Sequence, residues 1–530
     1  MNIVEVLRAQ ACHRPNEIAI RDTFQGHKRD WSFAQLEDAS ARTASLLRSK
    51  GLKAGDHTLV FVPMSAELYI ALTAVFRLGL VATFLDPSAG RDHISDCCNR
   101  VMPQAFIGIA RAHLLRLVSP ALRRIPHHFC TDLPIPAANP LQRAMRLEPD
   151  SEITPCDAQT PALLTFTSGS TGGAKALVRT HGFLLQQHRV LEKNLKLQAG
   201  DSELSTLPIF VLANLASGVT SIIPDADLRR PGSIDAAKII PQINLHSPTR
   251  AAASPAFFER VCDYCEKHKV TLPSLKAVYT GGAPVLPGLM HRLQNVAPQA
   301  EIVAVYGSTE AEPIAHLSLE EIALEDHVAM RNGKGLLAGV PVAEIQLHIM
   351  PDRWGTQSGP FTKEEFNGLS MPVNATGEIV VSGAHVVQGY LHGQHEEETK
   401  FHVDDTVWHR TGDAGYLDER GRLWLVGRCA ARLQDAGGII YPFQVECAAQ
   451  EFAFVRRAAF VSHRSKRVLV VEPVMTRAKI NCTELKETLS WARIDRVVVV
   501  KSLPMDKRHN AKIEYSALAK LLDARSKGLS

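Results

Sequence analysis

The chain has 530 residues, 45% of them hydrophobic and 22% charged, with a formal net charge of +4. That length exceeds what one hydrophobic core usually supports, so two or more domains are expected, and the ordinary composition excludes a largely disordered or fibrous protein. The small net charge and the lack of a long basic block give no ground for nucleic acid as a partner.

The N-terminus, MNIVEVLRAQACHRP, places Glu5 and Arg8 where a signal peptide needs an uninterrupted apolar run. Ten cysteines in so long a chain do not read as a secreted disulfide framework, so a reducing cytoplasm is expected. Several segments then share one plan: a short apolar run, a polar or Gly-rich loop, and a helix. GLVATFLDP ends at Asp86 and Pro87, PALLTF enters the loop 165–175, LKAVY leads to Gly281 and Gly282, and EIVAVY leads to Gly307. Apolar strands alternating with helices imply mainly parallel sheets covered on both faces, with ligands beyond the strand C-terminal ends. Residues 204–224 are uncharged, but Pro208, Asn214, Ser217, Gly218 and Thr220 interrupt them, so a buried strand–loop–helix is expected and no transmembrane segment. Cys262 and Cys265 form a CxxC in ERVCDYCEKHK; without a second pair the spacing reads as one face of a helix rather than a zinc site.

From Thr376 the texture changes. GEIVVSG alternates with period two, and DERGR, 418–422, predicts a tight turn before the strand LWLVGR. Beyond Arg428 roughly a hundred residues remain, enough for a compact domain. VLVVEPV and RVVVVKSL read as its strands and CTELKETLSWA as a helix. The expected fold is therefore α/β. A large N-terminal domain, 1–428, combines mixed, mainly parallel sheets flanked by helices with a small antiparallel region. A small, mobile α+β domain, 429–530, follows.

The most informative stretch is TFTSGSTGGAK, 165–175. Glycines let backbone N–H groups approach an anion, hydroxyls donate further bonds, and the lysine adds a full charge, so the loop suits a polyphosphate. It is not a Walker loop, because Ala174 separates Gly173 from Lys175. After it come TGGAP (280–284), YGSTEAEP (306–313), TGD (411–413), GR at Gly427 and Arg428, and RHNAKIEY (508–515).

This ordered set resembles the AMP-forming acyl-adenylate superfamily of acyl-CoA synthetases, luciferases and peptide-synthetase adenylation domains, over nearly the whole chain. The resemblance implies ATP and Mg²⁺ as cofactors and a small-molecule carboxylic acid as substrate. Thr167, Ser168, Gly169, Ser170, Thr171, Gly172 and Lys175 would hold the β- and γ-phosphates, and Glu310 would bind Mg²⁺. Gly281, Gly282 and Ala283 would pass close to the adenine, with Tyr306 on its other face and Gly307, Ser308 and Thr309 beside it. Asp413, followed by Arg428, would hold the ribose hydroxyls. A carboxylate attacking the α-phosphorus is an approach of anion to anion, and Lys512 is expected to offset that charge; Glu310, as the Mg²⁺ ligand, and Thr167, on the phosphates, complete the catalytic set that the resemblance implies.

Three departures bear on the second step. The pivot of the small domain, commonly Asp or Lys, is Ala430; the lysine of the second active-site arrangement is Gln434; and the PxExE motif becomes Pro442, Gln444, Glu446. All three weaken a thioester-forming reading. In LPIFVLANLASG the substrate pocket is expected at Phe210, Val211, Leu212 and Asn214; Val211 replaces the acid that meets an α-ammonium, so a hydrophobic acid is expected instead.

FLDPSAGRDHISDCCNRVMPQAFIG, with the LPIF segment and RHNAKI, looks most like the β-lactone synthetases of olefin biosynthesis. That resemblance implies a 3-hydroxy fatty acid whose own hydroxyl attacks the acyl carbonyl of the adenylate, with thiolase-like or decarboxylase-like pathway enzymes as partners. His181 is a candidate base for that hydroxyl, against a capping or surface role. Two other readings stay open: a fatty acyl-CoA or acyl-carrier-protein ligase, and a nonenzymatic nucleotide-binding sensor.

Overall fold

The computed structural model describes residues 1–85, 90–168, 174–394, 396–474, 480–505 and 513–527. It divides into two compact units, one of residues 1–225, 245–252 and 384–396, the other of residues 226–244, 253–383 and 397–530.

The first unit holds a seven-stranded sheet in the order Asn139–Pro140, His127–Cys130, Ala105–Gly108, His57–Phe61, Val81–Phe84, Pro161–Ser168, Ala174–Thr180. All neighbours are parallel except the last pair. Leu59, Phe61, Val81, Phe106, Leu164 and Phe166 form part of its buried core with Ile94, Cys97 and Leu122. A second set of strands in the same unit, residues 250–252, Ser202–Ser205, Thr220–Ile222 and Ile18–Phe24, is also parallel, and His27–Ser32 closes it as an antiparallel hairpin.

In the second unit Ala277–Gly281 runs parallel to Glu301–Ser308, and everything beyond is antiparallel. Ala311–Ser318, Leu336–Pro341, Leu423–Arg428, Thr406–Leu417, Gly377–Ser382 and Gln346–Met350 follow in that order. The C-terminal part builds a three-stranded sheet from Val455–His463, Lys466–Pro473 and Arg496–Val499, with helices Pro442–Gln450, Cys482–Thr488 and Tyr515–Lys527. The mixed α/β architecture expected from the sequence is the one observed.

The strand–loop–helix plan holds after Val81–Phe84, where Arg91–Val101 follows, and after Ala277–Gly281, where Pro287–Val296 follows. It fails at two places. Pro161–Ser168 is followed by the antiparallel strand Ala174–Thr180, and the helix starts only at His181, where the Thr180 hydroxyl accepts from Phe183 N at 3.1 Å. Glu301–Ser308 is followed by Ala311–Ser318, in which Pro313 is incompatible with a helix interior. GEIVVS also departs from its expected half-exposed pattern: Gly377–Ser382 is buried on both faces, strands pair with both its edges, and Glu378 finds the Arg410 guanidinium at 2.6 Å. The DERGR turn forms as expected, Gly421 N donating to Asp418 O at 2.9 Å. Cys262 and Cys265 lie buried on the helix Pro255–His268, and burial pushes their thiols up to about 12 and about 11.

Candidate active site

The second unit brings three of the expected residues together where two strand pairs end. Glu301–Ser308 carries Tyr306, and Asp413 and Arg428 face each other in register on Thr406–Leu417 and Leu423–Arg428. The Tyr306 hydroxyl donates to Asp413 Oδ2 at 2.7 Å, and Arg428 Nη1 donates to Asp413 Oδ1 at 2.7 Å. Asp413 N donates to Thr411 Oγ1 at 3.0 Å, which fixes the turn of the TGD sequence. Burial, with the Asp413 charge beside it, pushes the Tyr306 phenol well above its ordinary range, so it stays a donor. Asp413 in turn raises the Arg428 guanidinium, whose side chain stays 62% exposed at the rim.

Beside this triad the backbone comes close to itself. A Cβ on Gly281 would sit 2.5 Å from Val305 O, so the parallel pair Ala277–Gly281 and Glu301–Ser308 tolerates no side chain there. Gly282 follows at φ +79° with open space around it, and Ala283 is half-buried. A flat ring needs such a surface: backbone on one side, no projecting side chain. Across the next turn, Ser308 Oγ accepts from Glu310 N at 3.3 Å and from Ala311 N at 3.2 Å. A Cβ on Gly307 would sit 3.0 Å from Ala311 O, and Thr309 is exposed at the turn.

Glu310 stands on the same turn. Among the described residues its carboxylate enters no ion pair, and no group of three or more His, Cys, Asp or Glu side chains converges anywhere. A dication held by this one carboxylate would draw its remaining oxygens from phosphate and water, which is how Mg²⁺ is commonly bound beside a nucleotide.

In the first unit Thr167 and Lys175 are register partners on the strand pair Pro161–Ser168 and Ala174–Thr180. Lys175 is buried, its Nζ over the Tyr390 ring at 5.7 Å, and Tyr390 bridges back to Leu177. No sequence spacing pointed to Tyr390, which lies more than two hundred positions from the hairpin (roughly the difference of the two residue numbers). Gly169, Ser170, Thr171, Gly172 and the side chains of Thr167 and Ser168 lie outside the described residues, as do Asp86 and Pro87.

The helix Pro208–Ser217 starts with proline at its first position, as helix starts favour, and ends on Gly218 at φ +74°. Phe210 and Val211 are buried, and Leu212 lines a small apolar cleft with Leu7, Phe76 and Leu184. Asn214 is turned into a polar cluster: its amide donates to Glu203 Oε1 at 2.9 Å and Ser221 Oγ at 3.1 Å, and Ser205 Oγ donates to the same Glu203 oxygen at 2.5 Å. His181 is fully buried; its Nδ1 accepts from Ile3 N at 3.2 Å, and burial lowers its pKa to about 4. The imidazole is therefore neutral in the core, neither cap nor surface group.

Lys512 lies outside the described residues, but both ends of its segment are fixed. Met505 bridges Ile513, Glu514 N donates to Pro504 O at 2.9 Å, and the Tyr515 hydroxyl donates to the buried Glu446 at 3.1 Å. Glu446 also accepts from Phe460 N at 2.9 Å, and burial raises it to about 7. The PxExE motif departs at Gln444 and keeps Glu446, and nothing in its spacing pointed to this clamp. Ala430 sits in the short turn Cys429–Ala431, Gln434 is exposed on Leu433–Asp435, and Gln444 Nε2 donates to Gly333 O at 2.7 Å.

Comparison with known proteins places the chain in a family. Residues 7–391 match the family model described as AMP-binding enzyme. An olefin beta-lactone synthetase of Stenotrophomonas maltophilia is 30% identical, covering 98% of this chain and 97% of its own, and one of Xanthomonas campestris is equally similar. A 4-coumarate–CoA ligase-like protein of Oryza sativa is 25% identical over 95% of this chain and 90% of its own. Among solved structures, the anthranilate CoA ligase AuaEII in complex with anthranoyl-AMP superposes with a TM-score of 0.82 at 17% identity, covering 99% of this chain and 98% of its own. ATP-bound MatB from Rhodopseudomonas palustris does so at 0.78 and 18%, covering 98% and 99%. The chain belongs to the AMP-binding enzyme family and is an AMP-forming acyl-adenylate ligase, which sets aside the nonenzymatic sensor.

Proposed function

We propose that this enzyme activates a 3-hydroxy fatty acid as its acyl-AMP, releasing pyrophosphate, and that the substrate's own 3-hydroxyl then attacks the acyl carbonyl, expelling AMP and closing a β-lactone. The observation that carries this reading is the 30% identity to olefin beta-lactone synthetases over 98% of the chain. The apolar helix with Val211 and Leu212 supports a hydrophobic acid, and Ala430 and Gln434 support a second step without an external thiol. Intramolecular attack benefits from high effective concentration.

In this reading Thr167, Ser168, Gly169, Ser170, Thr171, Gly172 and Lys175 hold the β- and γ-phosphates. Gly281, Gly282, Ala283 and Tyr306, with Gly307, Ser308 and Thr309, flank the adenine, and Asp413 with Arg428 takes the ribose hydroxyls. Glu310 is the protein's ligand to Mg²⁺, which offsets phosphate charge when bound. Residues 429–530 form a lobe that brings Lys512 to the attacking carboxylate oxygen and the α-phosphate, where its charge counts most in the transition state. The enzyme works in the cytoplasm, after a thiolase-like source of the acid and before a decarboxylase-like consumer of the lactone; the free state of all ten cysteines supports that compartment.

The second reading is an acyl-CoA or acyl-carrier-protein ligase, favoured by the similarity to 4-coumarate–CoA ligases. One incubation separates them: Mg-ATP and a 3-hydroxy fatty acid, with and without coenzyme A, products identified by mass. AMP with a dehydrated acid in the absence of thiol is expected. Product formation that strictly requires coenzyme A would replace lactone closure by thioester formation.

A further inference from the structure

Between Asp96 and Asp132 the chain has no acidic residue but five arginines, Arg100, Arg111, Arg116, Arg123 and Arg124, in a protein whose whole net charge is only +4. The structure shows what part of this stretch presents to solvent. Residues 110–123 fold as three short helical turns, Ala110–His113, Leu115–Val118 and Pro120–Arg123, on the edge of the seven-stranded sheet's core. Their inner side is already satisfied. Leu122 is fully buried, Ala112, Leu115 and Ala121 pack against the same core, and His113 Nε2 bonds Phe129 O at 2.9 Å.

The outer side is different. Leu114 is 60% exposed, Leu117 73% and Val118 52%. Positions three and four apart share one helical face, and Arg111, three residues before Leu114, continues it. Arg111, Arg123 and Arg124 are exposed, and among the described residues no carboxylate pairs with any of them. Arg91 Nη1 donates to Val118 O at 3.2 Å, which tethers the neighbouring helix Arg91–Val101 to the same turn. The surface thus combines an apolar ridge the core does not need with unpaired guanidinium groups around it.

We propose that this ridge docks the enzyme on the surface of an anionic phospholipid bilayer, with Leu114, Leu117 and Val118 entering the headgroup–acyl boundary and Arg111, Arg123 and Arg124 meeting lipid phosphates. Charge complementarity and the apolar ridge select that occupant together. A nucleic-acid backbone would use the arginines but has no use for three exposed aliphatic side chains. A neutral bilayer would use the aliphatic groups but not the arginines. The inference does not depend on which second step the enzyme performs.

The test uses the full chain and sucrose-loaded vesicles, either pure phosphatidylcholine or equal parts phosphatidylcholine and phosphatidylglycerol, separated by sedimentation. Binding to the anionic vesicles alone is expected, and it should fall when salt is raised to about 1 M, where the Debye length is about 3 Å. A basic residue at such a surface contributes about 1 kcal/mol, about fivefold, so Arg111→Gln/Arg123→Gln/Arg124→Gln should lower partitioning about a hundredfold. Leu114→Ser/Leu117→Ser should lower it at least tenfold, since each leucine loses the benefit of leaving water. Both variants change exposed side chains, so their thermal midpoints and pyrophosphate release with a soluble short-chain acid should match the parent. Equal binding to both vesicle types, no binding to either, or vesicle binding indifferent to the leucine substitutions would overturn the proposal. Retention on heparin without vesicle binding would make the surface a site for polyanions, and loss of a dimer on leucine substitution would make it a self-association face; either also overturns it.

Discussion

Asp413 and Glu446 are both carboxylates of the second unit that accept from a tyrosine hydroxyl, Tyr306 at 2.7 Å and Tyr515 at 3.1 Å, yet they are prepared for opposite tasks. Asp413 stands at the end of a strand pair with an arginine opposite it and water at its rim. Glu446 is buried among Val445, Phe460 and Ala449, and its other partner is the neutral amide of Phe460. A fixed opposite charge keeps an anion ready for a ligand, whereas neutral donors in an apolar core make ionisation expensive. One carboxylate therefore stands beside a cation at a partly exposed edge and the other is built into the core, although both accept from a tyrosine.

The largest effect should come from the residue whose loop the Glu446 clamp frames. Lys512→Ala should lower pyrophosphate release about 10²–10³-fold, the range for removing one transition-state donor, while ATP binding changes little. Unchanged release would take Lys512 out of the mechanism. Next comes the clamp itself. The gap between an ordinary glutamate at 4.5 and Glu446 at about 7 amounts to about 3 kcal/mol at 1.36 kcal/mol per pH unit. Below pH 4.5 folded and unfolded chains both carry the proton, so nothing is lost. As pH rises from 4.5 the unfolded chain ionises first, and the penalty grows until about pH 7, where it levels off. Glu446→Gln should therefore raise the thermal midpoint at pH 8 and leave it unchanged at pH 4. A stabilisation equal at both pH values would show that packing, not ionisation, distinguishes the two sites.

On the other side of the comparison, Asp413→Ala should weaken adenylation about thirtyfold, roughly 2 kcal/mol, mainly through KM for ATP, as expected on losing a charged hydrogen-bonding partner. Tyr306→Phe removes one hydroxyl and should cost about 1 kcal/mol, a few-fold in the same KM. Were Tyr306→Phe as damaging as Asp413→Ala, the tyrosine would be an equal member of the site instead of a support for the carboxylate.

The sequence exposed one of these carboxylates far better than the other. TGD and YGSTE carry their signal locally, in glycines and hydroxyls at fixed spacing, so Asp413 and Tyr306 stand out as candidates in the sequence itself. Their hydrogen bond to one another does not, because it joins strands separated by more than a hundred residues (roughly, by residue number) and periodicity reports only local neighbours. Glu446 was legible only as the last glutamate of a motif that departs at Gln444; its burial and its bond to Tyr515 depend on how the C-terminal helices pack. The same limit explains the two missed hairpins. The glycine-rich stretch after Ser168 and the turn that Gly307 opens read as helix entries, and only tertiary pairing makes Ala174–Thr180 and Ala311–Ser318 strands. Arg410 with Glu378 was invisible for a third reason: the period-two rule assumes a wet face, and that strand has none.

In the bare protein each Asp413 oxygen takes one donor, the Tyr306 phenol on one and the Arg428 guanidinium on the other, and a carboxylate oxygen has room for a second. The proposed ribose diol would add its hydroxyls to an acceptor already aimed, so less freedom would be lost on binding than a swinging carboxylate would lose.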